Sequence, residues 1–408
     1  MWTDRCCLSI FAAILVQYRL VDSQSIHFEH SPPNEHKYSS AKYNRNNCTS
    51  DASVLAKLID GSAYNKHRIP GAKGGVPINV EFWIQDISSI SERTNDFVMD
   101  LYVNEIWHDS KLAFGHLSPC KGNLTLNEAV LSRLWTPNSC FVNSKVADIH
   151  DSPSRNIFLT LFSNGTLWIN YRVRVKGPCS MDLSNFPMDT QTCLLIYESF
   201  NYNNQEVRMR WNTDRPDPVY MLRPINLPDF DIQKIDPILV RVVYPAGLWD
   251  ELQVRFTFKR RCVWYFLQSY VPTYLTIFIS WIAFSLGPSP KAVQARTMLG
   301  VNALLAIIMQ FGSTLRKLPR VSYVKAIDVW LLGSMTFIFL SLVELAIVGL
   351  KMRGEVKPPS PSTDCCCSKT SDPLRTVHRI DSCAKIIFPA VYSVFNIVYW
   401  AYYGLLVQ

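Results

Sequence analysis

The sequence predicts an α+β membrane protein: an extracellular antiparallel β-sandwich followed by a four-helix transmembrane bundle. Three observations carry this reading. Near the N-terminus, Arg5 precedes an apolar stretch from Cys6 to Val16, and polar residues return by Asp22 and Ser23. Residues 23–261 are polar with short alternating apolar runs, and residues 262–408 hold four long apolar segments. At 408 residues the chain is long enough for two domains.

The first stretch has the charge and length of a secretory signal and is short for a membrane span, so residues 1–22 are expected to be a signal peptide, with an uncleaved anchor as the alternative. Export permits disulfides. The polar region carries Cys48, Cys120, Cys140, Cys179 and Cys193, whose pairing spacing alone leaves open. It has no Cys-x-x-Cys and no His-x-x-x-His, so neither a metal nor a cofactor is expected. Sequons at Asn47, Asn123 and Asn164 fit an extracellular domain at 23–261. Much of the net charge of +8 lies beside the apolar segments and not in a basic stripe, which argues against nucleic acid as a partner. With no nucleophile elbow, metal-ligand cluster or phosphate loop, an enzyme is not expected.

Along the chain, Asp51–Gly61 reads as a short amphipathic helix. Asn79–Ile84 and Phe97–Trp107 show apolar/polar alternation. Asn164-Gly165 stands between Ile157–Phe162 and Leu167–Val175, a hairpin signal. Several such strands with turn signals suggest a sandwich. The membrane half is expected at 262–408, with spans at 263–286, 297–315, 329–349 and 386–407, each long enough to cross a bilayer as a helix in contact with lipid. Four spans place the N-terminal domain and the C-terminus outside, with a short intracellular linker at 351–384. Lys351, Arg353 and Lys357 obey the positive-inside rule, whereas Arg316, Lys317, Arg320 and Lys325 run against it. In the linker, Cys365-Cys366-Cys367 are candidates for palmitoylation or for plain thiols.

Cys179 and Cys193 enclose thirteen residues with Phe186-Pro187-Met188-Asp189 at the tip. This resembles the signature loop of the Cys-loop receptors, the pentameric ligand-gated ion channels. Trp135-x-Pro137, Leu318-Pro319 through Trp330, Arg379-Ile380-Asp381 and Phe395-Asn396-Ile397-Val398-Tyr399-Trp400 resemble further stretches of the anion-selective branch. The resemblance implies a ring of five subunits, homomeric or heteromeric, in the plasma membrane and at synapses. It implies a Cys179–Cys193 disulfide, which at about fifteen residues contributes roughly 3 kcal/mol in the chain-entropy model. Cys120 and Cys140, both flanking strand-like segments, are expected to pair, with Cys48 as a competitor. Phe186, Pro187 and Asp189 are expected to couple the sandwich to the linker holding Pro319 and Tyr323.

The second span is expected to line the pore. Ala295 stands where cation channels of the family carry Glu, and Arg296 follows at the cytoplasmic mouth, so chloride is the expected ion. Arg296, Met298, Asn302, Leu305 and Met309 are expected along one lumenal stripe, with Leu305 as an apolar gate. Matched position by position, the resemblance implies an agonist site on Tyr102, Asn104, Asn170, Phe200, Tyr202, Tyr244 and Trp249. Aromatic faces attract a positive nitrogen, and Asn104 stands where amino-acid receptors of the family use Arg for a carboxylate. By Phe311-Gly312, Leu318-Pro319-Arg320 and Trp249-Asp250-Glu251-Leu252 the chain resembles invertebrate chloride channels, which implies opening by acetylcholine or a biogenic amine. The alternatives are a chloride channel gated by an amino acid (γ-aminobutyrate, glycine or glutamate) or protons, and a non-conducting auxiliary subunit.

Overall fold

The computed structural model describes residues 48–60, 64–71, 74–287, 289–353 and 373–406. The expected signal peptide, the Asn47 sequon and the triple cysteine of the linker lie outside the described residues. Helix α1 (Asp51–Leu55) is capped by Ser50, whose side chain accepts from the Ser53 amide, and a π-helical turn extends it over Ala56–Asp60.

The strands follow: β1 (Val76–Ser91), β2 (Asp96–His108) and β3 (Asn123–Leu126), a one-turn helix α2 (Glu128–Leu131), then β4 (Ser139–Phe141), β5 (Val146–Ile149) and β6 (Ile157–Phe162). After them come β7 (Thr166–Pro178), β8 (Thr190–Ser199) and β9 (Val207–Trp211), and β10 (Val219–Met221), β11 (Phe230–Tyr244) and β12 (Gly247–Arg260). One sheet of eight runs β10-β1-β2-β7-β6-β3, with β5 on β7 and β9 on β1; a sheet of four runs β11-β12-β8-β4. Pairing is antiparallel except that β9 and β10 run parallel to β1. The chain arrives at β9 from β8 in the opposite sheet, a crossover and not a hairpin, and β10 continues in the same direction.

Between the sheets, alternate residues point inward. Ile78, Val80, Phe82 and Ile84 of β1 are buried, and the Phe82 ring lies 5.4 Å from Tyr197 and 5.8 Å from Phe141 of the other sheet. Each such side chain contributes about 1.5–3 kcal/mol of transfer free energy. The β6–β7 hairpin pairs Leu161 with Leu167. At its turn Gly165 has φ +89°, and a Cβ there would collide with the Asp109 carbonyl oxygen, so glycine is required.

Cys179 pairs with Cys193 across a Cα separation of 4.6 Å. The expected Cys120–Cys140 pair does not form. Cys120 pairs with Cys48 at 4.9 Å, brought there by the bridge between Thr49 and Pro119. Cys140 lies on β4 opposite Glu198 and is a free thiol, as is Cys262.

Helical segments follow the strands. The first is broken: α3 (Val263–Tyr265), a π-helical turn over Phe266–Tyr270, and α4 (Val271–Ser285). Then come α5 (Pro290–Lys317), α6 (Ala326–Arg353) and α7 (Pro373–Ala401). Within the last three, Ala292–Lys317, Ala326–Met352 and Val377–Gly404 are long and apolar enough to cross a membrane. An aromatic core joins α7 to the others. Trp330, fully buried, lies 5.1 Å from Tyr270, 5.0 Å from Tyr274 and 5.1 Å from Tyr399. The Tyr270 and Tyr399 hydroxyls hydrogen-bond at 2.8 Å.

Peptide mapping without reduction is expected to yield Cys48–Cys120 and Cys179–Cys193 peptides, with Cys140 open to alkylation after unfolding. Cys48→Ser removes a cross-link 72 residues apart in sequence and is expected to cost roughly 4 kcal/mol in the chain-entropy model, read as a lowered unfolding midpoint.

Candidate functional site

Phe200 and the hairpin of β11 and β12 together carry an open aromatic surface. On one face of the four-stranded sheet stand Phe200, just past the end of β8, and Tyr244 and Trp249 on the hairpin. Phe200 is 69% exposed. Tyr244 and Trp249 pack edge to face at 5.7 Å, and the Trp249 indole donates to the Ser199 carbonyl at 3.0 Å. The Tyr244 hydroxyl donates to Glu251 Oε1 at 3.0 Å, and this bond, with burial second, pushes its pKa up to about 12. Tyr202 departs from the group: its ring lies 5.7 Å from Trp135, tilted against it, and its hydroxyl accepts from the Trp135 indole at 3.2 Å.

The other expected contacts belong to the eight-stranded sheet. Tyr102 lies beside Trp83 at 6.4 Å. Asn104 and Asn170 are corrected. Asn104 is fully buried, and its Oδ1 accepts from Asn170 at 2.7 Å and from the Trp168 indole at 2.9 Å. Asn104 is therefore closed into the wall of the sandwich, and Asn170, 9% exposed, spends its amide nitrogen on it. A panel that sequence reasoning missed stands beside Tyr102. Trp83 lies 6.0 Å from Tyr220 and 6.3 Å from Trp168, and the Arg215 guanidinium sits 5.8 Å over Trp83 and 5.7 Å over Tyr220. The available signal was period-two spacing: Trp83 pairs with Tyr102 across the ladder and shares its outward face. The two aromatic groups lie on different sheets, so one chain does not bring Tyr102 together with Phe200, Tyr244 and Trp249.

At the far end of β12, the loop closed by Cys179–Cys193 meets the helices. Arg260 is buried and donates from Nε to Asp189 Oδ1 at 2.7 Å and from Nη2 to Oδ2 at 3.1 Å, with Glu92 as a third partner. Burial pulls its pKa down, but the hydrogen bonds and charges of Asp189 and Glu92 outweigh that and raise it above the ordinary arginine value. The guanidinium lies 4.8 Å over the fully buried Phe186 ring, which packs on Tyr265 at 4.7 Å. Backbone bonds continue into α6: the Ala326 and Ile327 amides donate to the Ser184 and Phe186 carbonyls. The Leu183 amide donates to the Tyr323 hydroxyl at 2.9 Å. Pro187 is buried and Pro319 half-buried. Phe186 thus rests on Arg260, the first helical segment and the start of α6, while Leu183 makes the contact to Tyr323.

Helix α5 has two faces. Arg296, Gly300, Ala303 and Ile307 are buried against the bundle, and a Cβ on Gly300 would press into Leu342 of α6. Met298, Asn302, Leu305 and Met309 are exposed on the opposite side, with Ala295 exposed at the start. This corrects Arg296. At 100° per residue it stands about 200° from Met298, so it cannot share the Met298 stripe. It points into the bundle, 1% exposed, 2.8 Å from Asp381 of α7 and 3.5 Å from Glu344 of α6.

The pattern described as the neurotransmitter-gated ion-channel ligand binding domain matches residues 51–262, and that of the neurotransmitter-gated ion-channel transmembrane region matches 269–361. The chain belongs to the neurotransmitter-gated ion-channel family. It is 55% identical over 387 residues to the acetylcholine-gated chloride channel subunit acc-2 of Caenorhabditis elegans, covering 88% of this chain and 86% of that one. To the serotonin-gated chloride channel mod-1 of the same organism it is 47% identical over 310 residues, 76% of this chain and 62% of that one, just short of two thirds of the relative's length. To the human gamma-aminobutyric acid receptor subunit rho-1 it is 30% identical over 397 residues, 82% and 81% of the two chains. This is a family of membrane channels and not of enzymes, and its members are pentamers.

In this channel family member the α5 faces make a direct prediction. Cysteines introduced at Met298, Leu305 or Met309 are expected to react with a water-soluble thiol reagent and change the current. Cysteines at Ala303 or Ile307 are expected to behave as the parent chain does. Reaction at the buried pair alone would reverse the assignment of faces.

Proposed function

We propose that this chain is a subunit of a pentameric chloride channel in the plasma membrane, opened by a cationic amine such as acetylcholine or serotonin. The observation that carries the agonist class is the aromatic group of exposed Phe200 and Tyr244 with half-buried Trp249, beside the Glu251 carboxylate. Aromatic faces and a carboxylate favour a positive nitrogen. The amines named for acc-2 and mod-1 support the same reading. In a ring, the panel of Tyr102, Trp83 and Trp168 would face the hairpin of the neighbouring subunit and complete the site. Asn123 and Asn164 are exposed and remain the proposed glycan positions. Residues 23–261 then lie outside the cell with the C-terminus, and synaptic membranes are the proposed location.

For ion choice, the Arg296 charge is set against Asp381 and Glu344 inside the bundle and does not line the pore. What supports chloride is the absence of any acidic residue along Pro290–Lys317, with five helix N-termini, positive ends of their dipoles, at one mouth. Met298, Asn302, Leu305 and Met309 are the proposed lining, and Leu305 the proposed apolar gate. Phe186, Pro187, Asp189, Pro319 and Tyr323 are the proposed coupling residues.

The chain expressed alone is expected to give acetylcholine- or serotonin-evoked current whose reversal potential follows the chloride gradient and ignores sodium replacement. Ala295→Glu is expected to move that potential toward cation permeation. Phe200 makes no side-chain hydrogen bond, so Phe200→Leu isolates its ring; one desolvated cation–π face is worth about 2 kcal/mol, or about thirtyfold in agonist potency. Surface-expressed chain with no current when alone would favour an auxiliary subunit, and current evoked only by amino acids would overturn the amine.

A further inference from the structure

Beneath the aromatic group lies a feature that agonist recognition by ring faces does not use. Across the four-stranded sheet, Cys140 of β4 stands opposite Glu198 of β8. The ladder pairs Tyr197 with Leu252, so the next step outward sets Glu198 opposite Glu251 of β12. Directly opposite residues share one sheet face. By the period of two, Phe200 and Trp249 stand on that same face. Two carboxyl groups therefore form the floor under the rings, and both residues are only 5% exposed.

The two carboxyls are not equivalent. Glu251 is satisfied as an acceptor: Oε1 receives the Tyr244 hydroxyl at 3.0 Å and Oε2 receives the Gln253 amide at 2.7 Å. Glu198 Oε2 is buried without any hydrogen-bond partner. A buried carboxylate oxygen with no donor is costly, and a second carboxylate opposite adds like-charge repulsion. The neighbouring elements offer no relief. Cys140 on β4 is a thiol whose own pKa is raised by burial and by Glu198. Tyr244 on β11 spends its hydroxyl on Glu251. Asp250 points to the other side of β12, where Arg241 engages it at 3.3 Å.

We propose that Glu198 and Glu251 form a carboxyl pair that holds one proton while the agonist face is empty and releases it when a cationic amine is seated, so that the proton competes with the agonist. This rests on the reading of the hairpin face as the agonist site. The exchange balances: the Glu198 carboxyl gives its proton to solvent, and the amine's fixed positive charge replaces it beside the resulting carboxylate. Burial first, and the Glu251 charge second, raise the Glu198 pKa to about 7, which sets the exchange in the physiological range.

The test uses acetylcholine, whose charge does not titrate, applied to the full-length channel at pH 8, 7 and 6. Below its pKa a competing proton reduces the ionised fraction of Glu198 about tenfold between pH 8 and pH 6. The half-maximal acetylcholine concentration is expected to rise by about that factor, with the maximal current preserved. Glu198→Gln is expected to flatten the pH dependence. Should that variant give no current, Glu251→Gln carries the test: without the opposing charge the midpoint of the pH dependence moves to lower pH. Potency independent of pH in the parent channel, or an unmoved midpoint in Glu251→Gln, overturns the carboxyl pair alone. Current evoked by amino acids and by no amine at any pH overturns the agonist reading and this proposal with it.

Discussion

The buried pairing of Arg260 with Asp189 and Glu92 is the constraint on which the rest of the molecule depends. A guanidinium withdrawn from water is tolerated only when its charge and donors are met, and removing one partner from such a pair costs about 3–5 kcal/mol. Here the partners come from three places: the end of β12, the loop closed by Cys179–Cys193, and the turn after β1. The same guanidinium covers the rings of Phe186, Phe230 and Tyr265. The network thereby fixes the loop tip against the first helical segment and the start of α6.

β12 connects this junction to the opposite end of the sandwich. It runs from Gly247 to Arg260 without a break, with Trp249 and Glu251 at one end and the buried arginine at the other. At about 3.3 Å per residue that is roughly 40 Å of paired strand. A strand held on both sides by β11 and β8 transmits a shift along its length better than it absorbs one. In the bundle, the aromatic core around Trp330 and the Arg296–Asp381 contact fix the outer helices, leaving the exposed face of α5 as the surface free to line a passage.

The large features were legible in the sequence because they depend on period and length. Long apolar segments, alternation in β1 and β2, and Asn164-Gly165 each specify local geometry without knowledge of partners. The features that escaped depend on what lies opposite. Cys48 and Cys120 are brought together by the Thr49–Pro119 bridge, which no spacing announces. The parallel placement of β9 and β10 follows from a crossover between sheets. Asn104 sits on an outward-facing position, yet Trp168 and Asn170 close over it. Arg296 failed for a simpler reason: a charge beside a candidate pore invites a lumenal placement, but helical rotation to Met298 puts it on the other face, where Asp381 and Glu344 wait. Trp83 and Trp168 stand half-buried on the outward faces of alternating strands, where a large apolar ring reads as more core.

The central claim is that one buried ion network carries the motion of β12 into the helices, and a double-mutant cycle on gating tests it most directly. Asp189→Asn, Arg260→Gln and their combination would be compared by acetylcholine-evoked current normalised to surface-labelled protein. The account predicts strong non-additivity: each single change impairs opening severely, and the double variant is scarcely worse than either, because the second partner has lost its role once the first is gone. Effects of the two changes that simply multiply would contradict it.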